Sequence, residues 1–242
     1  MQFGLIGKSL VHSFSAAYFQ AKFEKLHLSD YRYLNCELAS IDELSSLLAD
    51  GQWQGFNVTI PYKEVCIPFL AGLSPEAQAI GAVNTIVRKG EEWWGHNTDH
   101  LGFRRALQES WPQMKLKKAL ILGSGGASKA VIYALEQMGI ASQIVSRNPA
   151  KGQIDYQEAQ SRLQEFPLII NTSPLGTFPD VDAMPSLEPQ GDLSGHYFMD
   201  LIYNPEETLW LQKARAAGAA VLNGKSMLVY QAEAAWKLWQ DQ

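Results

Sequence analysis

Long apolar runs, basic excess and cysteine are all scarce in this 242-residue chain, and each scarcity narrows the reading. No apolar window of about 18 residues occurs, so no segment suits a membrane-spanning helix. Met1-Gln2-Phe3-Gly4 lacks the charged start and apolar stretch of an export signal. Lys and Arg number 20 against 25 Asp and Glu, and a net charge of −5 without a concentrated basic face argues against a nucleic-acid surface. The two cysteines, Cys36 and Cys66, stand far apart among apolar neighbours. They read as reduced packing residues rather than a disulfide or metal site, which fits the cytoplasm. What is present is ordinary for a globular protein: 46% hydrophobic and 19% charged residues, enough for one large core or two modest ones.

The stretch from Lys118 to Ala150 reads as one half of a nucleotide-binding fold. Ala119-Leu120-Ile121-Leu122 is a short apolar strand running into Gly123-Ser124-Gly125-Gly126-Ala127, after which Ala130, Val131, Ala134, Leu135 and Met138 recur at helical spacing up to Gly139. Glycine at 123 lets the chain bend, and glycine at 125 lets backbone N–H groups approach a pyrophosphate at the helix N-terminus, where the dipole favours negative charge. Ser128 stands where a small residue is wanted for close helix packing. A second strand, Gln143-Ile144-Val145-Ser146, ends at Arg147. An acidic residue at that place would bond a ribose 2′-OH, whereas arginine suits a 2′-phosphate, so the expected dinucleotide is NADP rather than NAD. A glycine cluster alone is equally an ordinary turn; the strand, helix and basic tip around it carry the dinucleotide reading.

The residues before this unit alternate strand and helix, which predicts a separate α/β unit with a mostly parallel sheet. Phe3 to Gly7 is a strand, and Phe19, Phe23 and Leu26 mark the helix after it. Ser15 is a natural N-cap, and Ser13 with Ser15 also makes a small anion site; the two readings stay open. Tyr31 to Leu38 is a second strand, Ser40 to Glu43 a capping box opening a helix that Gly51 ends, and Gly55 to Thr59 a third strand running into Pro61, Tyr62 and Lys63. Ser74-Pro75-Glu76 starts a short helix. Gly81 to Val87 is a strand completed as a hairpin by Trp93-Trp94, both expected in the core. Asp99 is placed to cap the helix containing Leu101, Phe103 and Leu107, which would bridge into the nucleotide unit and set Asp99 near a cleft between the two, where ligand sites favour lying.

Beyond Arg147 the nucleotide unit is abbreviated, with a weak helical pattern between Asn148 and Phe166. Strands follow at Pro167 to Ile170 and Phe198 to Ile202, each ending in a polar loop (Asn171-Thr172-Ser173 and Tyr203-Asn204-Pro205). A helix from Glu206 to Ala217 and a strand Ala220 to Leu222 come next. The last helix begins near Ser226 and buries Met227, Ala234, Ala235 and Leu238, with Gln231 inside that stripe. A buried glutamine needs hydrogen-bond partners, structural or ligand. The division expected is residues 1–99 with 226–242 as a substrate-binding unit, and 100–225 as a Rossmann-like dinucleotide unit.

In order and spacing these segments resemble the shikimate dehydrogenase family from Gly7 almost to the C-terminus. The residues that carry the resemblance are Ser13-Phe14-Ser15, Asn57 through Lys63, Gly81-Ala82-Val83-Asn84-Thr85, Asn97-Thr98-Asp99 with Gly102, Gly123 to Ala127, Asn171-Thr172-Ser173, Asp200 to Tyr203, and Gly224 through Ala232. Ala16, Phe19 and Gln20 depart from the proline and His-Asn pair common in the family, and the helix after Arg147 is shortened. The resemblance implies NADPH-dependent reduction of 3-dehydroshikimate to shikimate, on the chorismate route to aromatic amino acids, in a monomer or homodimer. It implies that Ser13 and Ser15 hold the substrate carboxylate and that Asn57, Thr59, Asn84 and Gln231 meet or support ring hydroxyls. Lys63 and Asp99 would be the catalytic pair, with Tyr203 beside substrate and nicotinamide. Gly224 and Leu201 would offer backbone to the nicotinamide, Thr172 would line the cofactor channel, and Gly123, Ser124, Gly125, Gly126, Ala127 and Arg147 would hold the rest of NADP(H). The residue types suit the chemistry: hydride arriving at a carbonyl carbon leaves charge on oxygen, which an ammonium aligned by a carboxylate relieves. Taken singly, Lys63 also reads as a solvated lysine and Asp99 as a helix cap. The alternatives are a quinate/shikimate-type dehydrogenase preferring NAD, which Arg147 and the two serines oppose, and a non-catalytic nucleotide-binding module, which Lys63 and Asp99 oppose.

Overall fold

The computed structural model describes residues 1–11 and 13–241; His12, which falls in the expected loop before the first helix, and Gln242, at the end of the last, lie outside the described residues. The chain divides into two compact units, Met1–Thr98 with Gln231–Gln242, and Asp99–Tyr230.

The first unit is built on six strands: β1 (Gln2–Gly7), β2 (Arg32–Glu37), β3 (Trp53–Val58), β4 (Gly72–Leu73), β5 (Thr85–Lys89) and β6 (Glu92–His96), in the order β2-β1-β3-β5-β6-β4. The pairings β1–β2, β1–β3 and β4–β6 are parallel, whereas β3–β5 and β5–β6 are antiparallel. Five of the six strands therefore run in one direction, so the sheet is mostly parallel as expected, with β5 alone reversed. The cause is the tight β5–β6 hairpin, turned at Gly90 with φ +65°, which reverses the chain in the middle of the sheet. The expected strand from Gly81 is shorter at its start, because Gly81 with φ +70° ends helix α3 (Pro75–Ile80) and pairing begins only at Thr85. Helix α1 (Phe14–Lys25) is capped by Ser13, whose hydroxyl accepts the Ser15 N–H, so the cap lies two residues before the expected Ser15. The Ser40/Glu43 capping box forms as read; it opens a 3-10 turn, Ile41–Glu43, that leads into α2 (Leu44–Ala49).

One face of this sheet buries Ile6, Phe56, Val58, Ile86 and Trp93 under α2 and the loops that follow. The other meets α1 and the end of helix α8 (Lys225–Gln240) in an aromatic cluster of Phe3, Phe19, Phe23, Tyr33, Trp236 and Trp239. Trp94 is only half-buried and lies against Gly72 near the sheet edge, unlike its core neighbour Trp93.

The second unit holds α4 (Asp99–Ser110), α5 (Gly126–Gln137), α6 (Tyr156–Ser161) and α7 (Leu209–Ala216) around a five-stranded, wholly parallel sheet. Its strands β7 (Lys118–Leu122), β8 (Ala141–Val145), β9 (Leu168–Asn171), β10 (Tyr197–Asp200) and β11 (Ala220–Leu222) run in the order β11-β10-β9-β7-β8. The order changes direction between β7 and β9, the switch point at which doubly wound sheets bind ligands. Apolar runs make this sheet because both faces are covered: Leu120, Leu122, Ile169 and Phe198 pack to one side, Ala119, Ile121, Leu168, Ile170 and Met199 to the other. The weak pattern after Asn148 resolves into the six residues of α6, capped by Asp155, and a 3-10 turn, Leu163–Glu165. Helix α7 starts later than expected, at the Thr208 cap.

Gly55 sets how closely α8 can lie on β3. A Cβ there would come 2.3 Å from Trp239 Nε1, and that ring is held by its bond to the Ile86 carbonyl at 3.0 Å and by Phe3 and Phe19. Gly55→Ala is therefore expected to destabilise the protein by about 1–3 kcal/mol in urea unfolding, the range for overpacking. Gly51→Ala, whose Cβ would meet nothing within 4 Å, should stay within about 0.5 kcal/mol of the parent. Equal effects at the two positions would refute the packing assignment.

Candidate active site

In the first unit the expected site residues gather at one end of the sheet, where β1, β3 and β6 finish and the antiparallel β5 begins. After β1 the chain is held by Leu38 N–H on the Gly7 carbonyl (2.9 Å), Leu10 N–H on Glu37 Oε1 (2.6 Å) and Asn35 Nδ2 on the Leu10 carbonyl (3.3 Å). This loop delivers Ser13 and Ser15 to the start of α1. Thr59 N–H donates to the Ile6 carbonyl at 2.8 Å, and its methyl comes so near Gly7 that a Cβ there would sit 2.8 Å away. Lys63 is half-buried, and its carbonyl accepts the Val83 N–H at 2.7 Å, which ties it to the segment leading into Asn84.

A hydrogen-bonded network of buried side chains joins the same strand ends. The Tyr33 hydroxyl donates to Asn57 Oδ1 at 2.8 Å, and Asn57 Nδ2 donates to the Asn84 carbonyl (3.2 Å) and to Thr85 Oγ1 (3.3 Å). Thr85 Oγ1 donates to Asn84 Oδ1 at 3.1 Å. Asn84 Nδ2 donates to Thr98 Oγ1 (2.9 Å) and Gln231 Oε1 (3.2 Å), and the Thr98 N–H donates to Asn84 Oδ1 at 2.6 Å. Burial drives the Tyr33 phenol well above its ordinary range, with the Ser15 side chain pulling the other way, so this hydroxyl is a fixed donor. Asn57, Asn84 and Gln231, expected from the sequence, are thus brought together. Tyr33, Thr85 and Thr98 join them without a role having been assigned to them, although Thr85 and Thr98 lie in segments that carry the resemblance, beside Asn84 and Asp99.

The second unit places every residue expected of it at the carboxyl ends of its parallel strands. Gly123, with φ +109°, turns the chain after β7, and Gly125 is the N-cap of α5 with no side-chain cap bond and open space where a Cβ would stand. Ser128 is buried and donates to the Gly125 carbonyl at 2.6 Å. An uncapped helix N-terminus behind a glycine turn with room before it fits a dinucleotide diphosphate. Ser124 belongs to the same turn, and Gly126 and Ala127 open α5. Arg147 is exposed at the apex of a turn after β8 that the Ser146 hydroxyl closes on Asn148 N–H at 3.3 Å. Thr172 follows β9 and packs on Gly123, its hydroxyl donating to the Leu122 carbonyl at 2.9 Å.

Leu201 and Gly224 approach so closely that a Cβ on Gly224 would lie 2.0 Å from the Leu201 carbonyl oxygen, which only glycine permits. Tyr203, half-buried, continues the same loop after β10, and Asp99, buried, begins α4. Among the described residues no group of three or more His, Cys, Asp or Glu side chains is arranged to hold a metal ion, and no helix is long and apolar enough to cross a membrane. Cys36 and Cys66 are both free.

Asp200 holds the loops after β9 and β10 together. Its Oδ1 accepts Asn171 Nδ2 (3.0 Å) and Ile202 N–H (3.1 Å), and its Oδ2 accepts the Thr208 hydroxyl (2.8 Å). Burial outweighs these three donors and pushes the carboxyl up to about 6. A carboxyl raised in the folded state favours folding when protonated, so its contribution is lost as pH rises from about 4 through about 6. Relative to Asp200→Asn, which keeps the oxygen and offers an N–H to Thr208, the parent should gain up to about 3 kcal/mol of stability on going from pH 7 to pH 4. A difference between the two unfolding curves that is independent of pH would refute this.

The match to a model of the shikimate dehydrogenase substrate-binding domain spans residues 5–86. Over 98% of its length the chain is 37% identical to a shikimate dehydrogenase (NADP(+)) of Caldicellulosiruptor saccharolyticus, covering 91% of that protein. It is 39% identical, over 99% of its length and 90% of the relative's, to one of Trichormus variabilis. A crystal structure of the Thermus thermophilus shikimate 5-dehydrogenase in complex with NADP(H) and shikimate matches with a TM-score of 0.87 at 30% identity, covering all of this chain and 94% of that one. With full-length identity at this level added to the glycine turn, the parallel sheet and the buried amide network, the chain belongs to the shikimate dehydrogenase family.

Proposed function

We propose that this protein is an NADP(H)-dependent shikimate dehydrogenase that reversibly reduces 3-dehydroshikimate to shikimate. The observation that carries the reading is that, in the first unit, the strand ends that lead to the two serines, Thr59 and Lys63 also carry the buried Asn57/Asn84/Gln231 network, in a chain related to such enzymes from end to end. The first unit takes the substrate and the second the dinucleotide. Ser13 and Ser15 at the start of α1 meet the carboxylate, where the helix N-terminus favours negative charge. Thr59 and Gln231 meet ring hydroxyls. Asn57 and Asn84 support them, since both amide hydrogens of each are already donated inside the protein.

Bound NADPH supplies the hydride. The α5 N-terminus and the Gly123–Ala127 turn hold its diphosphate and Arg147 its 2′-phosphate, with Thr172, Leu201 and Gly224 along the channel to the nicotinamide. Lys63 gives a proton to the oxygen on which charge develops, and Asp99 aligns the ammonium and a neighbouring hydroxyl. Tyr203 stands beside substrate and nicotinamide. Two free cysteines suit a reducing compartment, and the reading carries a cytoplasmic location and a monomeric or homodimeric enzyme.

Turnover measured with shikimate and quinate, each with NADP⁺ and NAD⁺, tests the assignment: shikimate with NADP⁺ should be the best pair, and a preference for quinate or NAD⁺ would overturn it. Lys63→Ala should keep fold and NADPH binding while kcat drops by about 10²–10⁴, the range for loss of a general acid or base. Near-parental turnover would remove Lys63 from its role. Arg147→Ala should raise KM for NADPH more than KM for NADH, and equal effects would remove Arg147 from the 2′-phosphate.

A further inference from the structure

The loop between β1 and α1, which ends on Ser13, is held from the neighbouring strand, β2. Leu10 lies within this loop and is fixed at three points. Its side chain is buried over Gly7, where a Cβ would come 2.5 Å from Leu10 Cδ2. Its N–H donates to Glu37 Oε1 at 2.6 Å, and its carbonyl accepts Asn35 Nδ2 at 3.3 Å. The same carbonyl accepts the Ser13 N–H at 3.0 Å, and Ser13 Oγ in turn accepts the Ser15 N–H at 3.2 Å. A continuous run of hydrogen bonds therefore leads from Glu37 and Asn35 through Leu10 to both serines.

Tyr33, Asn35 and Glu37 alternate along β2, and side chains two apart on a strand share a face. The Tyr33 hydroxyl meets the Ser15 side chain, while Asn35 and Glu37 take the Leu10 main chain, so one face of this edge strand holds both the loop and the start of α1. A carboxylate can only accept and a main-chain N–H can only donate, which fixes the direction of the Glu37 bond and makes it charge-assisted. The negative charge of Glu37 does nothing to favour an anion at the serines. The bond it makes, and not its charge, carries the effect. Without that bond the part-buried Leu10 N–H loses its acceptor, and Asn35 and the buried leucine side chain alone hold the loop.

We propose that Glu37, assisted by Asn35, is a positioning residue for substrate binding: it holds Leu10, and through Leu10 it sets where Ser13 and Ser15 stand to receive the substrate carboxylate. This rests on the assignment of the two serines to that carboxylate made above. Glu37 acts on the acid end of the substrate alone. Its loss loosens that end and leaves proton transfer and the dinucleotide untouched.

Glu37→Ala should raise KM for shikimate roughly tenfold, as expected when a hydrogen bond to a charged group is lost, while kcat and KM for NADP⁺ stay within about twofold of the parent. Glu37→Gln keeps an oxygen for the Leu10 N–H without the charge and should hold KM for shikimate at or below the parental value. Asn35→Ala, which removes one donor from the Leu10 carbonyl, should raise the same KM by about threefold, and it serves as the second variant if Glu37→Ala does not fold. When both Ser13 and Ser15 are already alanine, adding Glu37→Ala should change KM for shikimate by less than about twofold, because these residues act as one unit. The proposal is overturned by an unchanged KM for shikimate in Glu37→Ala and Asn35→Ala, or by a parallel rise in KM for NADP⁺. It is equally overturned by a KM in Glu37→Gln as high as in Glu37→Ala, or by an undiminished effect of Glu37→Ala when the serines are absent. If the double serine replacement itself leaves KM for shikimate unchanged, the assignment of the serines to the carboxylate falls, and the role of Glu37 falls with it.

Discussion

An asparagine shut away from water must find partners for both hydrogens and for its oxygen inside the protein, and Asn84 does so at the point where β5 begins. Its side chain meets the Thr98 main chain and the hydroxyls of Thr85 and Thr98, together with the Gln231 amide; its carbonyl meets Asn57. Each missing bond here would leave a polar group stranded in the interior at about 1–3 kcal/mol, so the arrangement is close to all-or-none. Residues from β3, β5, the end of β6 and α8 are thereby held in one register relative to each other, and the serines, Thr59 and Lys63 stand on a frame with little freedom to shift.

The two units build their sites from different materials. The first uses side chains: hydroxyls, amides and an ammonium, each set by strand ends and by buried partners. The second uses backbone. Its parallel strands stop together, and the glycines at 123, 125 and 224 let main-chain groups come close to one another or leave space for a ligand to come close to them. Such a division suits a reaction in which a small, densely hydroxylated acid needs many directional contacts and a dinucleotide needs a long bed with a diphosphate cradle. Asp200 belongs to the second kind of construction: it touches no expected ligand position itself, but ties the loops carrying Thr172 and Leu201 into one piece.

Much of this was legible in residue order. Apolar runs ending in glycine, capping residues such as Ser40 and Ser74, and polar clusters after each strand are local signals, and local signals locate strands, helices and strand ends. Long-range partners decided what local signals could not: β5 alone runs against the other strands of the first sheet because a hairpin joins it to β6, and no single strand's sequence records who its neighbours are. The helix cap fell to Ser13 instead of Ser15 because both are good caps and the backbone of the preceding loop, tied to Glu37 and Asn35, chose between them.

By itself the sequence determined the two-part α/β plan, the glycine turn with its basic tip, and which polar residues end the strands, because periodicity, turn chemistry and spacing act over a few residues. Only the tertiary structure decided that Tyr33, Thr85 and Thr98 join Asn57, Asn84 and Gln231. The reason is that hydrogen-bond satisfaction of a buried amide depends on atoms as much as 147 positions apart in the chain, and on which of them can only donate or only accept.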